Sequence, residues 1–219
     1  MAPSGKATLR PLPLRIRPAR RFTQLAIGLA GYGASTGIMV ASGLGDQPWD
    51  VFHQGLGNHL GLSFGTLSVI VGAVVLLLWI PLRQRPGIGT VGNVFVVGLT
   101  GNLTLALLPT PTALVPRIAL MVVGVVLCAA SSGLYIGARL GPGPRDGLMT
   151  GLAARGYSIR LVRTLIEVTV VVLGALLGGT LGVGTIVYAL TIGPLVQLFL
   201  PLFSVREPVI ADTSLAPAS

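Results

Sequence analysis

The sequence predicts an all-α membrane protein with about six transmembrane helices and two short interfacial or re-entrant helices, arranged as a 3+3 inverted repeat. Three observations lead to this prediction: an apolar composition, a series of long segments without charge, and a similarity between the two halves of the chain. Hydrophobic residues make up 52% of the 219 residues and charged residues only 10%, whereas a soluble domain carries about 25% charged residues. Most of the surface is therefore expected to face lipid.

Six segments are long and apolar enough to cross about 30 Å of hydrocarbon as helices, which rise about 1.5 Å per residue. The first carries no charge over about 24 residues, too many for the apolar region of a signal peptide, and no small-residue cleavage motif follows it. The predicted spans are residues 22–45, 60–82, 87–108, 118–138, 160–177 and 182–203.

Two further segments, 48–59 and 144–157, contain charged residues and are only about a dozen residues long. They are too short to cross the bilayer, so we predict that they are interfacial or re-entrant helices. The chain then divides into four parts. These are a disordered basic cytoplasmic tail at 1–21, a first repeat unit at 22–109, a second repeat unit at 115–204, and a disordered cytoplasmic tail at 205–219.

The distribution of lysine and arginine predicts the orientation. If the amino terminus is cytoplasmic and each long segment crosses once, every one of the 15 basic residues except Arg117 lies on the cytoplasmic side. Membrane proteins carry such an excess of positive charge in their cytoplasmic loops. We therefore predict that both termini are cytoplasmic. This bias also accounts for the net charge of +9, and no basic face interleaved with aromatic residues indicates a nucleic-acid partner.

The two halves of the chain are similar to each other at a period of about 96 residues. Residues 45–50 (GDQPWD) recur as 141–146 (GPGPRD), and, after one deleted residue, 87–90 (GIGT) recur as 182–185 (GVGT). Each unit contributes three crossings, an odd number, so the second unit is expected to lie upside down relative to the first. Many secondary transporters are built from such inverted repeats, with the substrate site near the repeat interface.

Asp50 and Asp146 occupy equivalent positions, two residues after a proline at the start of each short helix. One interpretation is local, because a carboxylate in the first turn of a helix interacts favourably with the helix dipole. The other interpretation is that both aspartates face a central cavity and bind a cation or a proton. The sequence leaves both interpretations open.

Glu167 is the only acidic residue within a long apolar span, and an ionised carboxylate in hydrocarbon usually pairs or faces a polar interior. Arg163 precedes it by four residues on the same helix face, and Arg145 is a second candidate partner. The pair is either structural or part of a substrate or proton-coupling site. In the first half the equivalents of Glu167 and Arg163 are Gly72 and Ser68, and this asymmetry slightly favours a functional role.

Two more groups of residues have both a structural and a functional interpretation. Arg145 and the arginines that follow it up to Arg163 form a basic patch, which either sets the topology or recognises an anionic substrate or lipid headgroup. Thr90 and Thr185 stand at the start of the third and sixth spans, where a threonine caps the helix. A buried helix amino terminus also suits an anion, so both threonines are candidate binding residues.

We expect no cofactor, no metal site and no enzymatic activity. His53 and His59 are six residues apart and do not share a helix face, so they do not indicate a metal site. The sequence lacks a Ser/His/Asp constellation, a paired-histidine helix motif and a phosphate-binding loop. Cys128 is the single cysteine, lies in an apolar segment, and is expected to serve packing.

Several of these motifs resemble those of the bacterial YczE-like membrane proteins, which are related to the wider YitT group. The resemblance is carried by residues 48–50 (PWD), 141–149 (GPGPRDGLM) and 163–167 (RTLIE) and by the two Gly-(Ile/Val)-Gly-Thr turns. It extends over about residues 22–203. It implies a multi-pass protein of the bacterial plasma (inner) membrane, and it assigns no substrate or reaction.

Transport is the function that these observations favour: a permease for a small molecule or ion, with its site at the interface of two inverted repeats. Two alternatives stay open, a non-transporting scaffold or regulatory component and, with less support, an enzyme that modifies lipids. The expected partners are the lipid bilayer and an unknown small molecule or ion. Because glycine-rich helices pack closely in membranes, a homodimer is also expected.

Overall fold

The computed structural model describes residues 12–205, which form eight α-helices and contain no β-strand. The helices are α1 (Pro18–Ser42), α2 (Pro48–Leu60), α3 (Phe64–Leu82), α4 (Ile88–Leu107), α5 (Leu114–Gly137), α6 (Pro144–Ala153), α7 (Ile159–Leu176) and α8 (Val183–Phe203). Each half of the chain contains one long, one short and two long helices in that order. The predicted all-α fold is confirmed, and the two predicted short helices are present as α2 and α6.

Five of the helices are long and apolar enough to cross a membrane: α1, α3, α4, α5 and α8. The sixth predicted span corresponds to α7, which has 18 residues but contains Arg160, Arg163 and Glu167. This is more charge than the other long helices carry in their apolar windows. The described chain is therefore a multi-pass membrane protein, and the crossing of α7 stays a prediction.

Proline and glycine set several helix ends. The helices α1, α2 and α6 each begin with proline, whose fixed φ suits the first helical position. Gly43 and Gly61 end α1 and α2 in the left-handed conformation. Because α1 begins at Pro18, the last residues of the predicted amino-terminal tail are helical. Residues 1–11 and 206–219, which make up most of the two predicted tails, lie outside the described range.

The central pair of helices, α1 and α5, packs closely along its length. Glycines allow this approach: a Cβ atom at Gly28 would lie 2.6 Å from the backbone nitrogen of Tyr135, and one at Gly124 would lie 2.6 Å from Cγ of Met39. Gly28 is equivalent to Gly124 in the sequence repeat, and Met39 is equivalent to Tyr135. The same contact therefore occurs twice, with the roles of the two helices exchanged.

The other contacts between helices also come in matched pairs. The helix α1 packs against α4 as α5 packs against α8, and α2 packs against α7 as α3 packs against α6. The Trp79 ring of α3 covers Gly147 of α6, whereas Gly174 of α7 lies against the backbone of Phe52 in α2. Since the α2–α7 and α3–α6 contacts both join one half of the chain to the other, the two halves are interlocked.

Glycine turns bring the backbones of the two halves together. Gly45 has φ +112° and Gly141 has φ +127°, a conformation that favours glycine. A Cβ atom at Gly45 would lie 2.6 Å from the nitrogen of Gly182, and one at Gly141 would lie 2.9 Å from Cα of Gly87. A side chain at either turn would therefore be strained and would also separate the halves.

Two arginines bind the carboxyl-terminal ends of the central helices. Nε of Arg21 donates a 2.8 Å hydrogen bond to the carbonyl oxygen of Ala138, and Nε of Arg117 donates a 2.7 Å bond to that of Ser42. The last carbonyls of a helix lack partners within the helix, so basic side chains satisfy them. Arg21 is completely buried, which shows that part of the basic charge near the amino terminus belongs to the core.

The matching of contacts fails between α7 and α8. In the first half α3 packs against α4 so closely that a Cβ atom at Gly98 would lie 2.6 Å from the carbonyl oxygen of Gly65. The equivalent helices α7 and α8 make no contact of comparable extent within residues 12–205, and a Cβ atom at Gly193 would meet nothing within 4 Å. Arg160 stands at the position of Gly65, and its side chain is too large for such an approach. A gap therefore separates α7 from α8.

The outer surface of the helix bundle is apolar. Large hydrophobic side chains are exposed on the long helices of both halves, for example Ile27, Leu77, Leu99, Val115, Leu165 and Leu190. Soluble proteins rarely expose apolar side chains in such contiguous numbers. The predicted contact with the lipid bilayer is confirmed.

The gap between α7 and α8 gives a stability prediction with a matched control. Gly98→Leu would force a side chain between α3 and α4, and overpacking of this kind costs about 1–3 kcal/mol. We expect the melting temperature of the purified protein in detergent to fall by several degrees. Gly193→Leu, at the equivalent position in α8, should leave it nearly unchanged. Equal effects of the two substitutions would contradict the gap.

Candidate functional site

A cavity of about 270 Å³ lies between the two halves of the chain, and we call it the central cavity. It receives side chains from α1, α3 and α4 of the first half and from α5 to α8 of the second. Its size suits a small ligand, because cavities for drug-sized molecules begin at about 300 Å³. The polar residues of its lining are Tyr32, Ser68, Asn93, Ser132, Tyr135, Arg145, Asp146, Arg163, Tyr188 and Gln197.

The gap between α7 and α8 contributes to this cavity. Gly193 of α8 and Arg163 of α7 both line it, and these are the two helices that fail to pack together. Gln197 of α8 also lines it, whereas its equivalent in α4, Asn102, accepts a 2.8 Å hydrogen bond from the backbone nitrogen of Gly65. Where the first half closes its helices, the second half therefore leaves a polar opening.

The two equivalent aspartates have different surroundings. Asp146 lines the central cavity and accepts a 3.0 Å hydrogen bond from the hydroxyl of Tyr135. Asp50 is 1% exposed and lies behind the cavity, where it accepts a hydrogen bond from the side-chain amide of Gln47. Neither α2 nor α6 has a side-chain hydrogen bond at its amino-terminal cap. Both carboxylates lie in the first turns of these helices, where they interact favourably with the helix dipole.

Arg145 connects the cavity to Asp50 across the interface of the halves. Its NH2 atom lies 3.9 Å from Oδ1 of Asp50, and its guanidinium lies 4.9 Å from the centre of the Trp49 ring. The first contact is an ion pair at the limit of its range, and the second is a cation–π contact. Because Arg145 also lines the cavity, its charge is shared between the cavity and the buried carboxylate.

Arg163 and Glu167 form the ion pair that their spacing suggests. Nε of Arg163 donates a 2.9 Å hydrogen bond to Oε1 of Glu167, with the side chains 56% and 32% exposed. The pair is thus reachable from outside the bundle, and Arg163 but not Glu167 belongs to the cavity lining. At such exposure the pair contributes little to stability by itself.

Thr90 and Thr185 cap the amino-terminal ends of α4 and α8. The hydroxyl oxygen of Thr90 accepts a 3.1 Å hydrogen bond from the backbone nitrogen of Gly87 and donates one of 2.7 Å to the carbonyl oxygen of Pro142. Thr185 accepts a 3.4 Å bond from the backbone nitrogen of Gly182. Both threonines are buried and neither belongs to the lining of the central cavity. The structure therefore does not bring them together with the charged candidates.

Tyrosines connect the cavity to the start of α2. The side-chain oxygen of Gln47 accepts hydrogen bonds from Tyr32 at 3.1 Å and from Tyr188 at 2.9 Å. The rings of Tyr32 and Tyr135 meet edge to face with centres 5.9 Å apart. Gln47 in turn donates to Asp50. A continuous set of hydrogen bonds thus runs from the cavity wall into the buried carboxylate.

Sequence reasoning missed two buried ionisable residues beside Asp50. Asp46 is 0% exposed, and burial together with the charge of Asp50 raises the pKa of its carboxyl group to about 8. His53 is also 0% exposed; its Nδ1 lies 3.4 Å from Oδ1 of Asp50, and burial lowers its pKa. The sequence repeat contains one signal that could have identified Asp46 and His53. Pro142 and Met149 occupy the equivalent positions in the second half, so an acid and a histidine are not required to build the short helix.

A second pocket adjoins these residues. It has a volume of about 470 Å³, lies at the carboxyl-terminal end of α2, and is lined by His53, Gln54 and Thr180 among others. We call it the α2 pocket. Gln54 donates a hydrogen bond to Asp46 and accepts one of 3.1 Å from the backbone nitrogen of Thr180. The buried acids therefore lie between two pockets, the α2 pocket on one side and the central cavity on the other.

Fold and site together define a multi-pass α-helical membrane protein with a polar cavity between its two halves. Residues 19–201 match the family of unknown function DUF6198, and the chain belongs to this family. The uncharacterized membrane protein YczE of Bacillus subtilis is 34% identical over 160 residues, which cover 72% of this chain and 74% of the relative. The predicted membership among YczE-like membrane proteins is confirmed.

Two other relatives extend the comparison. An uncharacterized protein of Haemophilus influenzae is 40% identical over 181 residues, covering 82% of this chain and 83% of the relative. The uncharacterized protein YyaS of Bacillus subtilis is 25% identical over 189 residues, covering 83% and 93% of the two chains. None of these names states an activity. No solved structure matches the chain.

The raised pKa of Asp46 predicts a pH-dependent stability. The folded chain keeps a proton on Asp46 up to about pH 8, whereas an unfolded aspartate releases it near pH 4. Between these values the folded state binds more protons than the unfolded state, so the stability from this group falls as pH rises. Asp46→Asn, a neutral isostere, removes the fall. We expect its melting temperature to exceed that of the wild type by at least about 3 °C near pH 9 and to be equal near pH 4.

The control for this prediction is His59→Gln, which changes an exposed side chain of α2, measured in the same buffers. It should follow the wild type at every pH. A melting temperature for Asp46→Asn that falls below that of the wild type as the pH rises from 4 to 9 would show that folding favours the ionised aspartate, and would contradict the prediction.

Proposed function

We propose that the protein is a transporter or permease of the bacterial plasma membrane, with its substrate site in the central cavity. The observation that carries the proposal is the lining of this cavity by Arg145, Asp146 and Arg163 in a bundle whose long helices expose large hydrophobic side chains. Ionisable groups inside a membrane protein are costly and usually mark substrate or ion pathways. A cavity at the interface of two similar halves is also where secondary transporters bind their substrates.

The charges of the cavity favour a small substrate with both donor and acceptor groups. Arg163 is already paired with Glu167, and Arg145 lies near Asp50. Asp146 adds a negative charge, and three tyrosine side chains add hydroxyl groups and aromatic faces. A multiply charged anion would find too little unpaired positive charge here. A zwitterionic or polar molecule small enough for about 270 Å³ fits this lining better.

The inverted repeat belongs to the same proposal. Matched contacts between the halves, at equivalent positions in the sequence repeat, are the pattern that an internal two-fold axis generates. An axis in the membrane plane requires that α7 cross the bilayer like α3, giving six spans and cytoplasmic termini. The basic residues support this orientation, since Arg117 alone would lie outside.

A scaffold or regulatory component is the alternative function. Such a protein would use the charged residues as structural pairs and would keep water out of the cavity. We also propose that the protein is not an enzyme, because Arg145, Asp146 and Arg163 present no nucleophile beside a general base. A homodimer stays a prediction, which light scattering of the purified protein would measure.

The orientation of the repeat units is tested at one pair of equivalent positions. His59 at the end of α2 and Arg155 after α6 are both exposed and stand at equivalent positions of the repeat. In a Cys128→Ala background, His59→Cys should react with a membrane-impermeant thiol reagent in intact cells, and Arg155→Cys only after lysis. Thr112→Cys, in the loop before α5, should react like His59→Cys. Reaction of all three from one side would exclude the inverted repeat.

Alternating access to the cavity separates a transporter from a scaffold. Ser132 lines the central cavity, whereas Ala129, one turn earlier on α5, is buried in a hydrophobic cluster. We expect Ser132→Cys, in the Cys128→Ala background, to react with a water-soluble thiol reagent in both right-side-out and inside-out vesicles. Ala129→Cys should react in neither. A cysteine at Ser132 that reacts from neither side would contradict the proposed transport site.

A further inference from the structure

The start of α2 holds three ionisable side chains in a buried cluster. Asp46, Asp50 and His53 are 0%, 1% and 0% exposed, and we call them the α2 cluster. Burying an ionised group costs several kcal/mol unless a partner of opposite charge compensates it. The cation that the structure places beside the cluster is Arg145 of α6, 3.9 Å from Asp50. One arginine compensates one carboxylate, so the two neighbouring aspartates are arranged to hold one proton between them.

Polar atoms without partners are concentrated in this cluster. Oδ1 of Asp46 and both ring nitrogens of His53 are buried and make no hydrogen bond. Buried polar atoms are normally satisfied, and the exceptions mark sites with a function or an unseen small ligand. Nδ1 of His53 lies only 3.4 Å from Oδ1 of Asp50. A proton on Asp46 would remove the charge that its unpartnered Oδ1 leaves uncompensated in the interior.

The surroundings of the cluster contain few competing charges. The helix α3 contributes the ring of Phe64, which meets the His53 ring edge to face at 5.7 Å. The helix α7 meets α2 through Gly174 and Leu177. From α1 and α8, Tyr32 and Tyr188 reach the cluster through Gln47. Arg145 of α6 is therefore the charged group through which a change in the cluster reaches the central cavity.

We propose that the α2 cluster is a proton-binding site and that it couples the central cavity to the α2 pocket. A proton from water in the α2 pocket binds the carboxylate of Asp46, which the Gln54 side chain connects to that pocket. The cluster then holds one carboxylate charge instead of two, so Arg145 is attracted less strongly and turns toward the cavity, where it binds the acidic group of a substrate. The transfer breaks one O–H bond of a hydronium ion and forms one on Asp46, and the cluster gains one positive charge. The coupling step rests on the proposed transport function, whereas the proton binding does not.

Proton binding is tested on the purified full-length protein by infrared difference spectroscopy between about pH 6 and pH 9. Ordinary carboxylates are ionised throughout this range. We expect the wild type to show a protonated carboxylic acid band at the lower pH that disappears at the higher pH, and Asp46→Asn to lack it. His59→Gln, which changes the exposed histidine on the same helix, should keep the band. A wild-type spectrum without such a band, or an unchanged band in Asp46→Asn, would overturn the proton site.

Coupling is tested by the charge selectivity of cavity labelling in vesicles of phosphatidylethanolamine and phosphatidylglycerol. The reaction rates of Ser132→Cys with anionic and with cationic methanethiosulfonate reagents are compared, because their ratio reports the local potential and cancels the ionisation of the thiol. Release of Arg145 on acidification should raise the anionic-to-cationic ratio about threefold or more. Asp46→Asn should abolish the rise, and His59→Gln should retain it.

The outcomes separate the two proposals. A ratio that is independent of pH, together with the expected infrared band, would leave proton binding and overturn the coupling. Absence of any labelling at Ser132→Cys would overturn the transport cavity while the infrared result stands by itself. A rise in the ratio that persists in Asp46→Asn would assign the titration to another group and overturn the role of the cluster.

Discussion

Close approach of the two halves at their backbones is the constraint on which the rest of the structure depends. The amide of Gly184 donates a 2.8 Å hydrogen bond to the carbonyl of Leu44, and that of Gly89 donates a 3.0 Å bond to Leu140. Lipid provides no hydrophobic drive for helices to associate, so such bonds and the packing of small residues must hold the bundle together. Glycine is required at these turns, because a side chain there would separate the halves and open the cavity wall.

The two halves share the residues that build the helix bundle, and they differ in the charged residues of the candidate sites. The glycines at the central helix contact recur in both halves, as do the arginines that cap α1 and α5. The charged residues of α7, and Asp46 and His53 of the α2 cluster, each occur in one half only. A fold that needed these groups would need them twice. Arg160 in place of Gly65 illustrates the link, since the same substitution brings charge into α7 and keeps α8 at a distance.

Much of the fold was predictable because periodicity and helix-end residues are local signals. Runs of apolar residues predicted the positions of the long helices, and Pro48 and Pro144 predicted the starts of the short ones. The site was less predictable, because it depends on which side chains face one another. Asp146 was a candidate because of the repeat, and Arg145 because of the basic patch and its possible pairing with Glu167. Burial of Asp46 and His53, and the tyrosines that meet at Gln47, follow from the crossing of α1, α2 and α8, which no local pattern specifies.

The position of Arg145 favours transport over a purely structural role for the charged residues. In a structural pair a guanidinium would make short bidentate bonds to a carboxylate, as such pairs do when they rigidify a protein. Arg145 instead lies 3.9 Å from Asp50, keeps 22% of its surface exposed and also contacts the Trp49 ring. Both contacts are weak, and Arg145 also lines the central cavity. This position suits the proposed coupling, because coupling between two sites requires an element that both sites can bias.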